Sequence, residues 1–146
     1  MSALSKITTY HSGVTQASAY RIVKLHTAHA LRDYNLSCMQ WFTIGTVLDS
    51  GQEGIRLSDL AKKLDTTLAY MTTTVNLLES RDILNKREHK YDARTKLVSV
   101  NPRYNKTCNE IENHLRSHLR ERLYEKITHE ELANYVNVLS KISDLK

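Results

Sequence analysis

The chain has 146 residues, with 21 Lys+Arg against 16 Asp+Glu and a formal charge of +5. Four glycines and one proline exclude collagen-like, linker-rich and turn-dense all-β architectures, which need those residues at their bends. No apolar run nears the roughly 18 residues of a membrane span. Residues 1–6 lack the charged-then-apolar layout of a signal peptide, and Cys38 and Cys108, without a CxxC, read as free thiols of a cytoplasmic protein.

The first helix is predicted over Val14 to Asp33, capped by Ser12 or Thr15, with Ile22, Leu25 and His29 at helical spacing. Tyr34-Asn35-Leu36 breaks it. Ser37-Cys-Met-Gln40 is a capping box, in which hydroxyl and amide each satisfy an orphan N–H, and it opens a second helix through Trp41, Phe42, Ile44, Val47 and Leu48. That helix is apolar nearly all round, which predicts burial on most sides. Asp49 to Gly54 is a loop.

Leu57 to Leu64 predicts a two-turn helix capped by Ser58. Asp65-Thr66-Thr67 is a turn and a new cap, and Leu68 to Arg81 is the next helix. Met71, Val75 and Leu78 share its inner face. The opposite face, Ala69, Thr72, Thr73, Asn76 and Ser80, has no charge. A merely solvated face usually carries Lys and Glu. The period then changes: Ile83 to Lys86 and Lys96 to Val100 read as short strands around a glycine-free tip, Arg87 to Thr95. Asn101 and Pro102 start a helix of some 25 residues, with apolar positions from Cys108 to Ile127, roughly 37 Å long. Thr128-His-Glu-Glu131 is a second capping box, opening a final amphipathic helix.

The fold class read from this order is mainly α with a small β-hairpin. A winged helix-turn-helix lobe, 37–101, is joined to a helical body of 1–36 and 102–146. The terminal helices carry apolar stripes that the small middle leaves uncovered, which points to a second copy of the chain. The charge is local: Asn85 to Lys96 holds five basic residues against Glu88 and Asp92, while the last third is neutral.

Leu57-Ser-Asp-Leu-Ala-Lys-Lys-Leu64, Thr67-Leu-Ala-Tyr-Met-Thr-Thr-Thr-Val-Asn-Leu-Leu-Glu79, and Asp92-Ala-Arg94 followed by Lys96-Leu-Val-Ser-Val100 resemble the MarR family of winged helix-turn-helix transcription factors. They look like its first motif helix, its recognition helix and its Asp-x-Arg wing signature. The resemblance implies a homodimer built through the terminal helices. It places recognition helices in major grooves and wings in minor grooves of a palindromic operator, with half-sites about one helical turn apart. It implies a repressor released by a small, often aromatic, effector. The chain departs from the family at Thr73, where Arg is frequent, and at Asp82, where Gly is usual.

On this reading Thr67, Leu68, Ala69, Tyr70, Thr72, Thr73 and Asn76 face DNA. Asn76 suits an adenine edge, while Leu68, Ala69 and the Thr methyls suit thymine methyls. With no outward Lys or Arg at the helix centre to grip guanine, the expected operator is A·T-rich. Arg94 is the candidate for the narrow minor groove, where negative potential is enhanced. Asp92 is expected to stabilise the wing and hold the Arg94 side chain in one pose. Arg87, Lys90 and Lys96 are candidates for phosphates, which supply affinity without sequence information.

His26, His29, Tyr34, Trp41 and Phe42 are candidates to line a cleft for an aromatic effector. His114 and His118 have zinc-compatible spacing, but Gln40, Trp41 and Phe42 stand where zinc-sensing relatives draw ligands, so no metal or other cofactor is expected. Cys38 reads as a buried, inert thiol. No phosphate loop, nucleophile elbow or paired carboxylates mark an enzyme. The rival reading is a winged-helix module that binds another protein and no specific DNA.

Overall fold

The computed structural model describes residues 6–146. The start of the chain, where the sequence lacks a signal-peptide layout, lies outside the described residues. The elements are α1 (Thr9–Leu31), α2 (Cys38–Asp49), β1 (Ile55–Arg56), α3 (Leu57–Lys63), α4 (Leu68–Ser80), β2 (Leu84–His89), β3 (Asp92–Val100), α5 (Asn105–Arg122) and α6 (His129–Ser143). Single 3-10 turns sit at Arg32–Tyr34 and Pro102–Tyr104. The mainly helical fold class with a small antiparallel sheet is confirmed. No described helix is long and apolar enough to cross a membrane.

Packing divides the described residues into two compact units, 28–114 and 6–27 with 115–146. The divisions fall inside α1 and α5.

In the first unit, α2, α3, α4 and a three-stranded sheet share one core. Ile44, Val47, Leu60, Met71, Val75, Leu78, Leu84, Val98 and Ile111 are fully buried in it. Burying each Leu, Ile or Val contributes about 1.5–3 kcal/mol. The Ser37 capping box forms, with Gln40 N–H donating to Ser37 Oγ at 3.1 Å and Ser37 N–H to Gln40 Oε1 at 2.9 Å. Tyr34-Asn35-Leu36 breaks the chain as expected, with Asn35 left-handed at φ 54°. Most of α2 is buried or half-buried, as expected, while Phe42 and Leu48 are exposed.

The sheet order is β1-β3-β2, all antiparallel. The strands are longer than the alternation suggested, and only Lys90-Tyr91 separates them. β1 was not foreseen, since two residues carry no period. It pairs Ile55 with Val98, and Gly54 makes this possible. At φ +84°, a Cβ there would lie 2.6 Å from the Val98 carbonyl oxygen.

In the second unit, α1 starts earlier than predicted, because Thr8 Oγ1, rather than Ser12 or Thr15, takes an orphan N–H, that of His11, at 3.2 Å. The long C-terminal helix stops at Arg122 rather than running to Ile127. The Arg120 guanidinium turns back and donates to the carbonyls of Tyr124 at 2.6 Å and Ile127 at 2.7 Å. The apolar four-residue spacing continues past that stop, which is why periodicity missed it. The Thr128 capping box opens α6, and no residue of α6 is buried. Its Tyr135, Val136, Val138, Leu139 and Ile142 are exposed, as are Tyr10, Val14, Tyr20, Ile22 and Leu25 of α1.

Candidate nucleic-acid interface

The Thr67 hydroxyl caps α4, accepting from Tyr70 N–H at 3.1 Å. The helix before it starts without such help: its cap is Arg56, which makes no side-chain bond, and Ser58 lies inside the first turn instead of capping. At the far end of α4, Asp82 takes the left-handed conformation at φ 58°, where glycine would carry no steric penalty.

With Met71, Val75 and Leu78 inward, α4 presents Leu68, Ala69, Tyr70, Thr73 and Asn76 to solvent and Thr72 half-buried. Thr72 and Thr73 donate their hydroxyl protons back to the carbonyls of Leu68, at 2.8 Å, and Ala69, at 3.2 Å. Outward they therefore offer methyl groups and acceptor oxygens.

The wing places its charges unevenly. Arg94 is exposed and makes no ion pair among the described residues. Asp92 does not hold its guanidinium, as the sequence suggested. Asp92 Oδ1 accepts from the Arg94 backbone N–H at 3.0 Å and Oδ2 from the Thr95 hydroxyl at 3.1 Å. A carboxylate two residues before a backbone N–H closes an Asx turn, so it fixes the main chain instead. Lys96 pairs across the strands with Glu88 at 3.1 Å. Arg87 reaches the Glu53 carbonyl at 2.6 Å, tying the wing to the loop before β1. Lys90 lies over the Tyr91 ring, 5.5 Å from its centroid, at the exposed tip.

Lys86 is the residue sequence reasoning missed. Its ammonium donates to Asn76 Oδ1 and lies 3.8 Å from Glu79 Oε1, while its backbone N–H donates to Glu79 Oε2 at 3.1 Å. The only signal was its place at the start of β2, near the end of α4.

Of the residues suggested for an effector, those within 28–114 do not share one groove. Trp41 and Phe42 line an open groove of about 560 Å³ with Cys108, Asn109 and Glu112. Tyr34 instead packs edge-on against His114, with centroids 5.7 Å apart. His114 Nε2 lies 3.5 Å from Asp33 Oδ2. His29 is exposed, and His26 belongs to the other unit, 6.0 Å from the His118 ring. Both cysteines are buried, and burial pushes the Cys108 thiol above its ordinary pKa. Burial likewise raises the Tyr104 phenol, with the nearby thiol adding to it and Arg81 opposing. Among the described residues no three His, Cys, Asp or Glu side chains gather as a metal would require.

This arrangement of capped helix, second helix and paired wing can be set beside known proteins. Residues 50–96 match a family model described as MarR family. The chain has the MarR fold. A MarR family transcriptional regulator from Rhodococcus sp. RHA1 superposes with a TM-score of 0.84 at 14% identity, covering 97% of this chain and 98% of that one. A mutant MarR from E. coli complexed with operator DNA gives 0.72 at 16%, covering 93% and 99%. CouR from Rhodococcus jostii RHA1, bound to p-coumaroyl-CoA, gives 0.80 at 16%, covering 98% and 96%. No curated protein matches the sequence. The MarR resemblance first drawn from three short segments thus holds in sequence over the winged region and in fold over nearly the whole chain.

Proposed function

We propose that this protein is a sequence-specific, double-stranded DNA-binding transcriptional regulator, without enzymatic activity. It acts in the cytoplasm as a homodimer on a palindromic operator and represses until a small aromatic effector releases it. The observation that carries the reading is the juxtaposition of an uncharged face on α4 with a wing whose Arg94 is exposed and makes no ion pair among the described residues. A helix face of methyls, hydroxyl oxygens and one amide suits base edges, and an exposed guanidinium suits a narrow minor groove.

Thr67, Leu68, Ala69, Tyr70, Thr72, Thr73 and Asn76 then face the major groove, and Arg94 the minor groove. Asp92 sets the turn from which Arg94 projects. Lys90 is the wing lysine best placed for phosphate. Arg87 and Lys96 each engage one partner, the Glu53 carbonyl and the Glu88 carboxylate, and keep further N–H donors for phosphates. Region 37–101 is the DNA-binding part. Regions 1–36 and 102–146 supply the dimer contact, which the exposed apolar residues of α1 and α6 support, since monomers rarely leave such patches uncovered. The groove beside Trp41 and Phe42 is the candidate effector site, and the p-coumaroyl-CoA complex of CouR supports an aromatic ligand.

Selection of bound duplexes from random DNA, with sedimentation of the free protein, tests this. The reading expects enrichment of inverted repeats and a dimer. A monomer that enriches no duplex at low salt would contradict it and favour a protein-binding module.

A further inference from the structure

Asn76 and Lys86 come from different elements, α4 and the first strand of the wing, yet they meet. The Lys86 ammonium donates to Asn76 Oδ1. Glu79, one turn further along α4, grips the lysine twice. Its Oε2 accepts the Lys86 backbone N–H at 3.1 Å, and its Oε1 lies 3.8 Å from the ammonium. The lysine is only 24% exposed through its side chain, so backbone, stem and head are all constrained.

An asparagine that reads adenine uses both ends of its amide: the carbonyl accepts from the N6 amino group and the NH2 donates to N7. Here the carbonyl end already holds an ammonium, which has three donors and no acceptor. An adenine N6 amino group approaching that end must share the oxygen with the ammonium, and its N–H points at a positive charge already occupying one of the two lone pairs. Guanine shows two acceptors, N7 and O6, on the same edge. The Asn76 NH2 and the adjoining ammonium form a donor-only pair that matches it.

We infer that Lys86 sets the base specificity of Asn76, converting it from an adenine reader into part of a donor pair for guanine. Lys86 is a positioning and specificity residue contributed by the wing strand to the recognition helix. The inference rests on the DNA-binding reading above. It replaces, at this one position, the A·T preference that Asn76 alone would give.

The test is selection from random duplexes with wild type, Lys86→Met and Asn76→Ala, followed by affinity measurement on the wild-type site. Lys86→Met keeps an aliphatic stem beside Glu79 and removes the ammonium. The wild type is expected to fix guanine at one position of each half-site, and 7-deazaguanine there should weaken binding on the order of ten-fold. Lys86→Met should shift that position to adenine and lose sensitivity to 7-deazaguanine. Asn76→Ala should lose the preference there while keeping the rest of the site, an arm that decides the matter even where Lys86→Met unfolds. Enriched sites whose base preferences are the same in all three proteins overturn the role of Lys86 alone. A wild type that enriches no duplex overturns the DNA-binding reading as well.

Discussion

Asp92 Oδ1 accepts the backbone N–H of Arg94 at 3.0 Å, and the guanidinium of the same arginine makes no ion pair among the described residues. The carboxylate therefore shapes the turn without neutralising the cation that projects from it. Asp92→Asn removes the charge and keeps an acceptor; Asp92→Ala removes both. Operator affinity of Asp92→Ala should fall below that of Asp92→Asn by about 0.5–1.5 kcal/mol, the worth of one such hydrogen bond. Equal affinities in a fluorescence-anisotropy titration would show that the turn does not position Arg94.

Thr67 holds the first turn of α4 through Tyr70 N–H at 3.1 Å. Thr67→Ala should lower the unfolding free energy by about 0.5–2 kcal/mol and Thr67→Ser should be nearly neutral, as for other hydroxyl N-caps. Urea unfolding of the two variants measures it. Identical midpoints would mean that packing alone fixes the helix start.

Two backbone sites should respond in opposite directions. Asp82→Gly relieves a left-handed residue at φ 58° and should stabilise by roughly 0.5–1 kcal/mol, the steric gain partly offset by unfolded-chain entropy. Gly54→Ala places a Cβ 2.6 Å from the Val98 carbonyl oxygen and should destabilise by more than about 1 kcal/mol while loosening β1 from β3. Denaturation midpoints, with amide exchange at Val98, separate the two effects.

The fold was legible where chemistry is local. Ser37-Gln40 and Thr128-Glu131 announce helix starts because each box satisfies its own orphan N–H groups, and Met71, Val75 and Leu78 announce the buried face of α4. It was illegible where distant residues decide. Nothing in the spacing of Leu119, Leu123 and Ile127 reveals that Arg120 ends the helix, and nothing in a two-residue strand reveals β1. The candidate site divides the same way. Its helix face and basic wing are visible as composition. The engagement of Asn76 by Lys86, and of Arg87 by the Glu53 carbonyl, depends on how β2 packs beside α4 and the loop.

Burial raises the Cys108 thiol pKa, so the folded state favours the neutral thiol. A raised pKa contributes stability that is full below the unfolded thiol value and is lost as pH rises through the folded value. Stability should therefore fall above a pH of about 8.5, and less steeply in Cys108→Val. Native Cys108 should resist iodoacetamide at pH 8 and react on unfolding; rapid native alkylation would contradict the buried, neutral thiol.

In the proposed function the wing delivers Arg94 to DNA. Binding of the selected operator by wild type and Arg94→Ala across a salt series tests it most directly. Wild-type affinity should fall steeply with salt, and Arg94→Ala should lose on the order of 1–3 kcal/mol at fixed salt. Operator affinity that neither falls with salt nor changes in Arg94→Ala would contradict it.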